Sequence, residues 1–190
     1  MKVGILAVQG DYEAHGRVLS KLGVEWATVR KGTELSGLAG LVLPGGESTT
    51  QLKFLKEEDL GPALREFANR GGPILATCAG AILIAREVRN PPQESLGFID
   101  MIVARNAYGR QVASEVRFGS STLEESPLEM VFIRAPIIVD VGKDVEVLAE
   151  LEGRPVLVRQ GNALAATFHP ELSAQTTVHE YFLKLASNGR

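Results

Sequence analysis

The chain has 190 residues, 45% of them hydrophobic, a length and content that fit one α/β unit whose sheet is covered on both faces. A net charge of -3 with scattered basic residues excludes a nucleic-acid footprint, and a single cysteine excludes an internal disulfide. With no basic-then-apolar leader and no unbroken apolar run of about 18 residues, the sequence predicts a cytoplasmic protein that acts on a small substrate.

In chain order, the nearly continuous apolar run from Lys2 to Val8 predicts a strand buried on both faces, hence a parallel central strand. A helix follows over Tyr12 to Leu22, with Asp11 as its N-cap and Gly23 ending it. Strands are predicted over Val24 to Val29 and Leu41 to Leu43. This alternation implies the right-handed crossovers of a doubly wound sheet. No GxGxxG follows the first strand, which argues against a dinucleotide site.

Pro44-Gly-Gly-Glu-Ser-Thr-Thr50 stands at the end of the third strand and leads into a short helix over Gln51 to Leu55. Paired glycines leave backbone N–H groups uncovered, which would suit half of an oxyanion hole; a plain glycine turn with Ser/Thr capping fits as well. A helix over Gly61 to Asn69 delivers the chain to Pro73-Ile-Leu-Ala-Thr-Cys78-Ala-Gly80-Ala-Ile-Leu-Ile-Ala85. Here a buried strand (Ile74 to Thr77), a turn carrying the only cysteine and an apolar helix from Ala79 make the layout of a nucleophile elbow. Small neighbours, Ala76, Ala79 and Gly80, let strand and helix pack closely around the turn. The helix N-terminus would favour an anion, so a thiol there should ionise more easily. A buried structural cysteine is the competing reading.

Beyond the turn-rich stretch Asn90 to Gly97 the chain becomes strand-rich. Strands are predicted over Met101 to Arg105, Val112 to Phe118, Met130 to Arg134, Val145 to Leu151, Val156 to Gln160 and Ala163 to Phe168. Glu152-Gly153-Arg154 and Gly161-Asn162 have the composition of hairpin turns. Without a linker or repeat between the two halves, one domain with an antiparallel extension is expected. The last strand runs into His169-Pro170-Glu171. In an extended chain residues two apart share a face, about 6.5 to 7 Å apart, so Glu171 can back His169 and fix its tautomer. An exposed His and Glu on a loop is the alternative. His15 and His179 fall within helical patterns and are read as solvated helix residues. A closing amphipathic helix spans Thr176 to Ala186, with Tyr181, Phe182 and Leu185 facing in.

Gly45-Gly46-Glu47-Ser48-Thr49, Thr77-Cys78-Ala79-Gly80 and Phe168-His169-Pro170-Glu171-Leu172, in this order and spacing, resemble the class I (triad) glutamine amidotransferases. Within them the chain is similar to the glutaminase subunits of pyridoxal 5'-phosphate synthase. That similarity runs from Val8-Gln9-Gly10-Asp11 through Arg105-Asn106, Gly109-Arg110-Gln111 and Val131-Phe-Ile-Arg-Ala-Pro136. Departures from the family pattern fall at Ala76, Ile137 and Ala174-Gln175, outside the candidate triad.

The resemblance implies a three-layer, flavodoxin-like α/β fold over residues 1–190, with a mainly parallel central sheet and antiparallel strands in the second half. It implies hydrolysis of L-glutamine to L-glutamate and ammonia, with Cys78 as nucleophile, His169 as base and acid, and Glu171 orienting His169. Gly46 and Ala79 would hold the oxyanion, and Gly46, Glu47, Ser48, Arg105, Ile133 and Arg134 would line the glutamine site. No metal or organic cofactor is required. The ammonia would pass to a barrel-shaped pyridoxal 5'-phosphate synthase subunit, which Gln9, Gly10 and the first helix would partly face. Two rivals remain: a γ-glutamyl hydrolase or peptidase using the same triad, and a non-catalytic flavodoxin-like binding module. A hydrolase with His directly after its nucleophile is disfavoured by Ala79.

Overall fold

Strands that are apolar on both faces must be covered from both sides, and the computed structural model, which describes residues 1–105 and 114–188, meets that demand with two helical layers. The first half supplies β1 (Lys2–Leu6), α1 (Tyr12–Lys21), β2 (Glu25–Val29), β3 (Gly40–Leu43), α2 (Ser48–Glu57), α3 (Leu60–Asn69), β4 (Ile74–Thr77) and α4 (Ala79–Ile84). The second half supplies β5 (Ala85–Arg89), β6 (Ile99–Ala104), β7 (Ser114–Ser121), β8 (Leu128–Ile133), β9 (Ile137–Val141), β10 (Glu146–Leu151), β11 (Arg154–Gln160), β12 (Ala163–Ala166) and α5 (Thr177–Asn188).

Nine strands form one sheet in the order β2-β1-β3-β4-β12-β11-β10-β7-β8. The first five are mutually parallel, and every pairing from β12 outward is antiparallel. A second sheet, β5-β6-β9, packs against β11 of the first without joining its ladder. The expected doubly wound α/β sheet with antiparallel strands in the second half is therefore present.

The period of two along each central strand sorts side chains between the layers. Leu41 and Leu43 of β3, Ile74 and Ala76 of β4, and Ala163 and Ala165 of β12 join Leu55, Leu60, Leu64, Phe67 and Leu83 from α2, α3 and α4. Val42, Leu75 and Leu164, one position over, join Leu19 of α1 and Val178 and Phe182 of α5. The first cluster continues into the small sheet through Val88, Met101, Val103 and Ile138. Among the described residues no helix is long and apolar enough to cross a membrane.

Several expectations are corrected in detail. α2 is twice the expected length because Glu47, not a Ser or Thr further on, caps it: the Glu47 carboxylate accepts from the Thr50 N–H at 2.8 Å. β5 and β9 are additional strands; β5 shows neither alternation nor a continuous apolar run, and its pairing with β6 is what makes it a strand. β12 stops at Ala166, and Pro170–Leu172 is a 3-10 turn, so Glu171 is not on an extended strand. The motif residues Asn106 and Gly109-Arg110-Gln111, and the start of the strand expected from Val112, lie outside the described residues.

Candidate active site

The elbow forms because β4 enters α4 through one residue in a conformation L-residues avoid. Cys78 has φ 48° and ψ -103°, and its N–H donates to the Ala166 carbonyl of β12 at 2.8 Å. Gly80 has no alternative at its place: a Cβ there would stand 2.1 Å from the Leu43 carbonyl oxygen. The thiol, 7% exposed, points toward the Ile133 carbonyl, 3.9 Å away at the end of β8.

Because β12 runs parallel beside β4 in register, with Ala166 opposite Thr77, its exit brings His169 to the same end of the sheet as Cys78. The His169 N–H is tied to the Val131 carbonyl at 2.8 Å. Its Nδ1 lies 2.7 Å from Glu171 Oε1, a contact made by the 3-10 turn that Pro170 starts. Burial opposes charge on His169, but the sulfur of Cys78 and the carboxylate of Glu171 outweigh it and raise its pKa to about 10. Burial would also raise Glu171; the rings of His15 and His169 more than offset this and hold it below the usual carboxylate range.

The glycine turn closes the other side. A Cβ on Gly45 would sit 2.4 Å from His169 Cε1 and 3.4 Å from Cys78 Cβ, so the turn passes directly over the thiol and the imidazole. Gly46 has φ 152°. Two glutamines that sequence reasoning did not connect with the turn lock it. Gln9 Oε1 accepts the Glu47 N–H at 2.7 Å, and buried Gln51 donates from Nε2 to the Gln9 carbonyl at 3.0 Å and the Pro44 carbonyl at 3.1 Å. Gln9, expected on a partner-facing surface, is engaged within the chain by these bonds.

Cys78, Ala79 and His169 line a cavity of about 290 Å³ together with all six residues expected to bind glutamine, Gly46, Glu47, Ser48, Arg105, Ile133 and Arg134. Burial opposes ionisation of Glu47, but the hydroxyls and N–H groups of Thr49 and Thr50 outweigh it and lower its pKa to about 2. Arg105 Nη2 lies 3.3 Å from that carboxylate, so the cavity wall carries a fixed anion and a cation side by side. Arg134 has φ 44° at the rim. Such a site offers opposite charges to a zwitterion and a thiol to its far end. A larger cavity, about 500 Å³, opens between Leu35, Phe67, Pro73 and Ala186, and neither a cysteine nor a histidine is among its lining residues.

The assignment of His15 and His179 to solvated helix faces is overturned. Both are completely buried, His15 from α1 and His179 from α5, where the two helices meet behind Glu171. His15 Nε2 lies 3.3 Å from Glu171 Oε2 and 3.2 Å from Thr77 Oγ1, and its Nδ1 is 3.0 Å from His179 Nε2. The signal was present in the sequence: His15 shares its helical stripe with Leu19, and His179 shares its own with Phe182, at i+4 and i+3.

The family model described as the SNO glutamine amidotransferase family matches residues 5–188. The chain is 52% identical over 189 residues to the pyridoxal 5'-phosphate synthase subunit PdxT of Koribacter versatilis, covering 100% of this chain and 97% of that protein. It is 50% identical over 186 residues to the PdxT subunit of Thermotoga maritima, covering 97% and 99%. A solved structure described as a glutamine amidotransferase superposes with a TM-score of 0.91 at 45% identity, over 97% of this chain and 98% of that one. The structure of PurLQS from Thermotoga maritima shares the fold alone, with a TM-score of 0.67 at 16% identity over 99% of this chain and 95% of that one.

Proposed function

Because the chain belongs to the SNO glutamine amidotransferase family, we propose that it is the glutaminase half of a pyridoxal 5'-phosphate synthase, acting in the cytoplasm as one domain over residues 1–190. It hydrolyses L-glutamine to L-glutamate and ammonia and hands the ammonia to a synthase subunit. The observation that supports this reading best is that Cys78 and His169, the latter hydrogen-bonded to Glu171, line one cavity with the ion pair of Glu47 and Arg105.

Glutamine enters with its α-amino and α-carboxylate groups toward Glu47, Arg105 and Arg134, an arginine being suited to a carboxylate by its forked donors. Its carboxamide carbon then faces Cys78. The thiol proton goes to His169 Nε2, the sulfur bonds to the carboxamide carbon, and the oxyanion that develops is held by the N–H groups of Gly46 and Ala79. Collapse breaks the C–N bond, and His169 returns its proton to the leaving nitrogen, which departs as ammonia. Water, deprotonated by His169, attacks the γ-glutamyl thioester and releases glutamate and the thiol. Glu171 keeps the His169 proton on Nδ1 and stabilises the imidazolium at both stages.

The experiment is ammonia release from glutamine by the chain mixed with a pyridoxal 5'-phosphate synthase subunit. Release that Cys78→Ala abolishes in the folded protein is the expected result. Equal release by wild type and Cys78→Ala, or none from either, would overturn the reading.

A further inference from the structure

The mechanism above uses one histidine, yet two more, both buried, stand in line behind the carboxylate it leans on. Glu171 has two oxygens and His169 takes only Oε1. Oε2 is buried and makes no hydrogen bond of ordinary geometry with any described residue; the ring nitrogen facing it is His15 Nε2 at 3.3 Å. A carboxylate gripped at one oxygen can swing about its own axis, and a swing of Glu171 would carry the His169 ring with it.

The protons of this cluster can be placed by elimination. His179 Nδ1 is buried with no hydrogen-bond partner among the described residues. A proton on that atom would strand a buried donor, so the His179 proton belongs on Nε2, where it is donated to His15 Nδ1 across 3.0 Å. His15 Nδ1 is then the acceptor, and the one proton of neutral His15 sits on Nε2. That N–H faces Thr77 Oγ1 at 3.2 Å and Glu171 Oε2 at 3.3 Å, and it can be shared between them. Both rings stay neutral: burial lowers the pKa of His15, with Glu171 and Asp11 working against it and His169 with it. Burial, then His15, lowers His179 to about 3. A neutral donor directed at the carboxylate stabilises its charge without competing with His169 for the role of cation.

We propose that His15 is a positioning residue for catalysis: held in its Nε2–H tautomer by His179, it fixes the second oxygen of Glu171 and so the orientation of His169 toward Cys78. This rests on the triad reading above. It assigns the meeting of α1 and α5 a part in turnover, through a chain of contacts that runs His179, His15, Glu171, His169, Cys78.

The test is glutamine hydrolysis by the chain with a synthase subunit, for His15→Leu, His15→Gln, Glu171→Gln and the His15→Leu/Glu171→Gln double variant. Outer hydrogen-bond partners of imidazoles at metal sites are worth on the order of 10- to 100-fold, and His15→Leu is expected to lower kcat by that much while KM stays within about twofold. His15→Gln places an amide N–H near where Nε2 stood and is expected to recover most of the loss. In the double variant His15→Leu should cost nothing beyond Glu171→Gln, because its effect passes through that carboxylate. A wild-type kcat for His15→Leu, no rescue by Gln, or additive losses in the double variant would each overturn the proposal while leaving the triad in place. An active Glu171→Gln would instead bring down the triad reading beneath it. Should His15→Leu fail to fold, NMR of the ring nitrogens in the unsubstituted chain decides: Nε2–H on both His15 and His179 near neutral pH is expected, and Nδ1–H on either overturns it.

Discussion

Gly45 lacks a side chain where His169 already fills the space one would need. Its missing Cβ would overlap Cε1 at 2.4 Å, so Gly45→Ala must push the imidazole away from Cys78 or lift the turn off the site. A displacement of about 1 Å at reacting groups costs on the order of 100-fold in rate. Steady-state kinetics of Gly45→Ala should therefore show kcat reduced at least about 100-fold, with a thermal midpoint near wild type. Glu171→Gln keeps the shape but lets the ring take the wrong tautomer, and the loss expected in kcat is on the order of 10⁴-fold. At this scale the sequence was readable where chemistry imposes a pattern. Cys78 between small residues, and His169 two residues before Glu171, stood out as candidates by their neighbours, each beside a plain structural reading, and the family resemblance is what joined them into a triad. His15 and His179 were misjudged although each lies on the apolar stripe of its helix: the stripe signals burial, but the carboxylate that His15 meets lies 156 residues further along the chain.

Among elements, α4 bears the closest tolerance. It is only six residues long, and Gly80 brings its first turn onto the backbone of β3. Gly80→Ala sets a Cβ against a carbonyl that cannot move aside, so the helix must shift from the sheet. Overpacking of this kind costs about 1–3 kcal/mol. Denaturant unfolding should register that loss, and hydrolysis should fall with it because the Ala79 N–H moves too. The alternation of strand and helix up to α4 was legible, since each parallel strand carries its own apolar signal and each helix its own stripe. β5 was not legible: Ala85-Arg-Glu-Val-Arg89 has no pattern until β6 pairs with it. The length of α2 depended on recognising Glu47 as the cap, a role the Ser and Thr beside it concealed.

For the whole molecule, the buried histidines predict how stability varies with pH. His15 and His179 have pKa values held below the ordinary 6.5, His179 at about 3, so the unfolded chain binds protons that the native state refuses. Their contribution is complete above about pH 6.5 and is lost below it; for His179 the loss continues toward about pH 3, at up to about 1.4 kcal/mol per pH unit. His169 acts in the opposite sense: with its pKa raised to about 10, its contribution is full below the ordinary 6.5 and is lost as pH rises through about 10. The thermal midpoint should thus fall as the buffer is taken from about pH 7 to pH 4, and His179→Phe should flatten that slope. An acid limb of the same steepness in the variant would contradict this account.

The position of β12 has a consequence for how the protein is made. It is among the last elements to be synthesised, yet it lies in the middle of the sheet, between β4 and β11, and it alone carries His169 to Cys78. A nascent chain that has emerged as far as Asn162 lacks both the imidazole and the strand whose Ala166 carbonyl takes the Cys78 N–H, so its elbow is unfinished as well. A copy cut before His169 loses the middle of the sheet together with the imidazole, so it is expected neither to fold as the full chain does nor to release ammonia from glutamine.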